Sequence, residues 1–309
     1  MFFKSYEPIK EPLNEVNKKI EKIFKNRYFP NFPPLYKEGK RLRAAINLFT
    51  SNAFENYDKN IINVATSLEM IHFSSLIHDD IVDGAETRRN LPSMNKLLGN
   101  HSAVLIGDYL FSKAMNFISL TKNPLIFKEV SRASFLMCEG EIMEEFTERE
   151  KNFNEKYYFD LIYRKTGALF ESASVLGALY KNKTNKNYRR FGRKFGILYQ
   201  IFDDIIDFLE GEDIRQGKVT LPIIYTKSKI FKYFPEFKNK KDGFEIEKIK
   251  EIVIKNNGIE KSLKKGEKFL KEIRKILKEF EFPLKKFLND FVDEIHIYVL
   301  EKINKFKEV

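Results

Sequence analysis

The sequence has one cysteine, Cys138, and no tryptophan among its 309 residues. A lone thiol cannot close an intramolecular disulfide, so a small disulfide-stapled secreted scaffold is excluded and a reducing compartment is expected. No uninterrupted apolar run reaches the roughly 18 residues that a membrane-spanning helix needs. The opening MFFKSYEPIK lacks the apolar centre of a signal peptide, and the expected location is cytoplasmic. Alternating strand-like stretches are scarce, and with 14 Gly and 10 Pro the breakers are few. What is abundant is apolar residues spaced three and four apart, which predicts an all-α chain, and a 43% hydrophobic content that is ample for a core. The simplest architecture is a single domain over residues 1–309, an antiparallel helical bundle.

The breakers divide this pattern. Pro30, Pro33 and Pro34 separate a first amphipathic helix from one beginning near Gly39. Pro92, Asn100, Pro124, Pro222, Pro235 and Pro283 punctuate the later segments, and residues 233–244 read as an exposed loop. The net charge of +11 suits acidic partners: phosphorylated metabolites, anionic lipid surfaces or nucleic acid. Lysines spread along the whole chain, densest after residue 226, read first as solvated helix faces.

Two acidic triplets carry the chemistry: Asp79, Asp80 and Asp83 in SSLIHDDIVDGAETRRN, and Asp203, Asp204 and Asp207 in LYQIFDDIIDFLEG. At about 100° per residue, acids at i, i+1 and i+4 share one side of a helix. Both triplets sit in apolar runs, where carboxylates persist only if paired or bound to metal. Hard divalent cations suit several oxygen ligands, and Mg²⁺ commonly bridges carboxylates to a substrate phosphate. These triplets also argue against a nucleic-acid partner. GKRLR, residues 39–43, puts three cations beside a glycine at a helix start, a setting that favours phosphate. His72 lies two helical turns before Asp79, and Arg88 and Arg89 follow the first triplet closely. Acids, cations and apolar walls together suit a polyanionic headgroup with a greasy tail.

These segments, with SAVLIGDYLFSKAM, CEGEI (138–142), RKTGALFESASVLGA (164–178), GILYQIFDDIIDF (196–208) and QGKVTLP (216–222), resemble the trans-isoprenyl diphosphate synthases from about residue 39 to residue 230. The resemblance implies an isoprenoid synthase-like bundle around a central cavity, a homodimer, and Mg²⁺, three ions per active site. It implies head-to-tail (1'-4) condensation of isopentenyl diphosphate with an allylic prenyl diphosphate, with peripheral membrane contact for product release. Asp79, Asp80 and Asp83, and Asp203 with Asp207, match the metal ligands. Arg88, Lys165 and Lys218 match contacts to the allylic diphosphate. Gly39, Lys40, Arg43, His72 and Arg89 match the isopentenyl diphosphate site, and Thr166 and Gln200 match the lining of the reacting centre. Asp79, Asp80, Arg88, Lys165, Thr166, Gln200, Asp203 and Lys218 are the expected catalytic set.

Phe73, Phe170 and Phe202 are at positions that suit walls for a carbocation. The chain departs from the family pattern after the second triplet, where FLEGEDIRQGK skips a Gly-Lys loop and one allylic-site lysine with it. Glu144 stands where many long-chain members have Gln, and Lys302 where Arg is frequent. Ser74 and Ser75, then Ile71, then Leu68 read as successive layers below Asp79, so small serines predict a product longer than twenty carbons, with Phe111, Met115 or Phe135 as a floor. The alternatives are a geranylgeranyl or farnesyl diphosphate synthase, a helper subunit of a heteromeric synthase, and a terpene cyclase.

Overall fold

The computed structural model describes residues 3–25, 39–88, 91–146, 154–183, 186–233 and 246–305. The expected exposed loop at 233–244, with Pro235, and the Pro30–Pro34 break lie almost wholly outside the described residues. The chain divides into two compact units. Unit 1 takes residues 1–132, 172–188 and 286–288; unit 2 takes 133–171, 189–285 and 289–309. Among the described residues the structure is helical apart from one two-stranded hairpin, in which Thr87–Arg88 pairs antiparallel with Leu91–Pro92. The all-α expectation is met.

Helices α1 (Lys10–Phe24), α2 (Leu42–Thr50), α3 (Lys59–Val82) and α4 (Met94–Ser119) make up most of unit 1. The α3 helix starts where Asp58 accepts the N–H groups of Asn60 and Ile61 at 2.8 and 3.0 Å, a strong N-cap. It is buried on nearly all sides, as its near-continuous apolar sequence requires. Its end is equally defined. Gly84 takes a left-handed φ of 62°, and the N–H groups of Gly84 and Ala85 bond back to the carbonyls of Ile81 and Asp80. Asp79 and Asp80 therefore occupy the last turn of α3, and Asp83 is its C-cap.

Two serines seven residues apart tie α3 to α4: Ser67 donates to the Ala114 carbonyl at 3.1 Å and Ser74 to the Gly107 carbonyl at 2.8 Å. This contact needs Gly107, where an added Cβ would come within 2.6 Å of the His78 ring. The layer assigned to both serines is therefore divided. Ser74 belongs to the α3–α4 seam, because at 100° per residue it points about 140° away from Asp79, whereas Ser75 stays within about 40° of it. Phe111 and Phe135 are exposed, not part of a floor.

Unit 2 is built mainly from the later part of α5 (Pro124–Phe146), α6 (Glu155–Ile162), most of α8 (Lys186–Glu210), α9 (Glu212–Arg215), α10 (Leu221–Ile224), α11 (Lys227–Tyr233), α12 (Ile246–Lys255), α13 (Gly258–Leu277) and most of α14 (Leu284–Lys305); α7 (Ala168–Tyr180) begins in it. Pro124 opens α5, Pro222 lies in the first turn of α10, Pro283 precedes α14, and a break at Gly99, beside Asn100, kinks α4. The core is a phenylalanine cluster: Phe195 meets Phe170, Phe191 and Phe291 at centroid distances of 5.3, 6.0 and 5.2 Å. Phe170 and Phe202 are thus core packing and not cavity walls, and Phe202 is closed off by stacking on His296. Phe73, in unit 1, is also buried, edge-on to Phe24.

Within unit 1, Gly177 on α7 is the tightest helix contact. A Cβ there would lie 2.6 Å from the Asn47 carbonyl oxygen and 2.8 Å from the Ser51 amide nitrogen, both backbone atoms of the α2 end. Backbone cannot swing aside as a side chain can. Gly177→Ala is therefore expected to lower stability by about 3 kcal/mol, the upper part of the overpacking range, read as a lower urea midpoint.

Candidate active site

The cation-rich loop of unit 1 is shaped by its neighbours. Gly39 has φ 132° and Arg41 φ 53°, so the chain turns sharply just before α2, which begins at Leu42, three residues later than the sequence suggests. The Tyr6 hydroxyl donates to the Lys40 carbonyl, Arg41 Nε donates to Asn17 at 2.9 Å, and the Arg41 guanidinium lies 5.3 Å from the Phe73 ring. Buried Glu69 on α3 accepts the N–H of Ala44 at 3.0 Å, capping the start of α2. Ala44 and Arg41 thereby tie this segment to α3 at Glu69 and Phe73, and His72 stacks beside Phe73. From Glu69 to Asp79 is ten residues, about 15 Å along the helix.

At the end of α3, Asp80 is 2% exposed and Arg88 closes on it: Nε lies 2.7 and 2.9 Å from its two oxygens, and a terminal nitrogen lies 2.6 Å from one. Burial works against the Arg88 charge, but Asp80, then Asp79 and Asp83, more than offset it and raise its pKa. The hairpin holds Arg88 in this position. Asp79 is half-buried and Asp83 exposed. Arg89 lies outside the described residues.

In unit 2, Lys165 and Thr166 stand on a single π-turn, Tyr163–Gly167, of the kind that often marks functional sites. This turn lies against α8 because two glycines meet: a Cβ on Gly196 would be 2.7 Å from the Gly167 Cα. One turn on, Thr166 donates to Gln200 at 2.6 Å, Gln200 donates to Asp204 at 2.7 Å, and Tyr158 donates to the other Asp204 oxygen at 2.6 Å. Lys165 pairs with Glu141 at 2.8 Å and with Glu144; burial opposes its charge, but these two glutamates raise its pKa.

The second triplet is electrostatically loaded. Burial, followed by the other acids, pushes Asp204 up to about 7 and Asp207 up to about 8. Asp213 is also raised, by burial and then by Asp204 and Asp207, although Lys218 and a 3.1 Å hydrogen bond from Thr220 act the other way. Gly211, at φ 82°, turns the chain between α8 and α9 and folds Glu212 back. Asp207, Glu210 and Glu212 consequently bring ligand oxygens within 4.8 Å of one another, a donor set that suits a hard divalent cation.

The structure brings Asp79, Asp80, Asp83 and Arg88 together, and likewise Thr166, Gln200 and the Asp203–Asp207 segment. Tyr158, Glu69, Glu210 and Glu212 are additions that the sequence did not disclose. Tyr158 lies 46 residues from Asp204, and no local pattern links them.

Aspartate-rich helix ends on an all-α fold define the isoprenoid synthase class. The chain belongs to the polyprenyl synthetase family, whose model matches residues 32–253. Among curated relatives, a geranylfarnesyl diphosphate synthase of Methanosarcina mazei is 39% identical over 62% of this chain, and the match spans 66% of its own length, just short of two thirds. Component 2 of the heptaprenyl diphosphate synthase of Bacillus subtilis is 31% identical over 87% of this chain and 82% of its own. The solved decaprenyl diphosphate synthase of Rhodobacter capsulatus superposes with a TM-score of 0.85 at 26% identity, covering 97% of this chain and 98% of that one.

The raised carboxylates give a pH dependence. Folded-state values above the ordinary 3.8 mean that, between about pH 4 and 8, the folded chain binds protons that the unfolded chain has released. Stability of the metal-free protein is therefore present at low pH and lost as pH rises through that window. Melting in chelator is expected to fall from pH 6 to pH 8.5, and Asp207→Asn to flatten the slope.

Proposed function

We propose that the protein is a trans-prenyltransferase joining isopentenyl diphosphate to an allylic prenyl diphosphate. The observation that carries this reading is the pairing of Asp80 with Arg88 at the end of α3, beside Asp79 and Asp83. A helix C-terminus adds partial negative charge to these acids, so the site calls for cations. The Asp207, Glu210 and Glu212 set and the raised carboxylates of α8 fit Mg²⁺ by the same argument.

Asp79, Asp80, Asp83, Asp203 and Asp207 would hold the ions, with Glu210 and Glu212 beside them. Bound Mg²⁺ would supply positive charge to a diphosphate as it leaves. Arg88, Lys165 and Lys218 bind and orient the allylic diphosphate; Gly39, Lys40, Arg43, His72 and Arg89 hold isopentenyl diphosphate. Fixed cations of this kind stabilise charge as it develops and cost no reorganisation. Thr166 and Gln200, linked to each other and to Asp204, form a rigid polar edge near the forming cation. Ionisation of the allylic substrate, attack by the isopentenyl double bond and loss of a proton to the departing diphosphate complete the reaction.

Product longer than twenty carbons is the reading of chain length. Ser75 sets no aromatic ring below Asp79, Leu68 follows on the same face, and the relative at 39% identity is named for geranylfarnesyl diphosphate. Exposed Val104, Leu105 and Phe111 along α4 support a homodimer. No helix among the described residues is long and apolar enough to cross a membrane, and a cytoplasmic location with peripheral membrane contact accords with this.

Incubation with isopentenyl diphosphate, each allylic starter and Mg²⁺, followed by mass analysis of the dephosphorylated chains, is expected to show elongation that chelator abolishes. Asp80→Asn should lower kcat by roughly 10²- to 10³-fold, the scale of removing one group that stabilises transition-state charge. Ser75→Phe should shorten the product. No elongation with any starter would sink the reading; an unchanged product from Ser75→Phe would sink only the assignment of chain length.

A further inference from the structure

Away from the aspartates, unit 1 gathers a second set of charges, all positive. Lys19 on α1 is half-buried and donates to the Asn63 side chain on α3. Its ammonium stands 4.6 Å from the centroid of the Phe117 ring on α4, and that of Lys113 stands 5.3 Å from the same centroid. Lys59, the first residue of α3, lies one turn before Asn63 on the same face. Lysines of two helices therefore share one ring, and Lys59, on a third, is close enough to Lys19 for its charge to act on it.

Nearby acids are engaged elsewhere. Glu15 pairs with Lys18 at 2.8 Å, Glu21 pairs with Lys25, and Asp58 caps α3. Among the described residues, none of the three lysines has a carboxylate partner. Burial, with the charges of Lys59 and Lys113, lowers the Lys19 pKa, as expected of ammonium groups crowded without a counter-charge. Phosphate is the counter-ion that several converging N–H donors serve best.

We propose that Lys19, Lys59 and Lys113, gathered around Asn63 and Phe117, form a binding site for a phosphate group, separate from the site that holds the reacting diphosphates. Lys59 is twenty residues before Asp79 on the same helix, about 30 Å away. Exposed Leu120, three residues beyond Phe117, gives the site an apolar rim that suits a lipid headgroup, while free phosphate satisfies the same donors.

The test is calorimetric titration with inorganic phosphate and, in parallel, sedimentation with phosphatidylcholine vesicles with and without phosphatidylglycerol. Each lysine near an anionic surface is worth roughly fivefold in partitioning, so the triple variant Lys19→Gln, Lys59→Gln, Lys113→Gln should bind about 100-fold more weakly. A control triple of equal charge change, Lys264→Gln, Lys268→Gln, Lys271→Gln, should bind as the unaltered protein does. Lys113→Gln alone, a mild change at a half-exposed position, should lose about fivefold. Binding to phosphate alone assigns a soluble ligand; binding to anionic vesicles assigns a headgroup. No binding in either arm, or equal losses in the two triple variants, overturns the proposal. Elongation of soluble substrates should be unchanged in all of these variants, which separates this site from the catalytic reading.

Discussion

Carboxylates gathered at the C-terminal ends of helices are the constraint on which the rest of this molecule depends. Asp79 and Asp80 occupy the last turn of α3, Asp83 caps it, and Asp207 occupies the last turn of α8. At these positions the unsatisfied carbonyls of the helix add negative charge to that of the side chains. A stability argument alone would place lysine or arginine there. The chain instead concentrates acids, and each end is answered in its own way: Arg88 at the first, protonation-prone buried carboxylates at the second. Such a field is costly for a bare protein and well matched to cations and to the anions they carry.

Within each unit, close backbone approach positions the helices that carry these acids. Gly196 against Gly167 brings the π-turn onto α8 and so links Thr166, Gln200 and Asp204. Gly107 lets α4 receive the Ser74 hydroxyl. Glu69 caps α2 from the middle of α3, so one helix positions both the cation loop at its flank and the aspartates at its end. Interiors packed this closely transmit position without slack.

The departure after the second triplet takes a physical form. Where the family pattern has a further Gly-Lys loop, Gly211 makes a left-handed turn at once into α9. A lysine is lost, and Glu210 and Glu212 join Asp207. The balance of charge at this end shifts toward ligands for a cation. Glu144, a second departure, pairs with Lys165 together with Glu141, so that lysine is held by two acids.

The sequence by itself determined the helical class, because three- and four-residue apolar spacing is a local property, and it determined the two aspartate triplets, because their spacing within a helix fixes a shared face; the arginine and lysine candidates came from the resemblance to the family. Local pattern did not extend further. It did not separate Ser74 from Ser75, whose roles divide only once α4 is packed against one of them. Phe170 and Phe202 suit cavity walls by local position but are core, since the residues that cover them, Phe195 and His296, lie 25 and 94 positions further along the chain. Tyr158 and Asp204 likewise meet only through folding. Local periodicity sets what each segment can present, and tertiary packing decides which of those faces is buried, paired or left to bind.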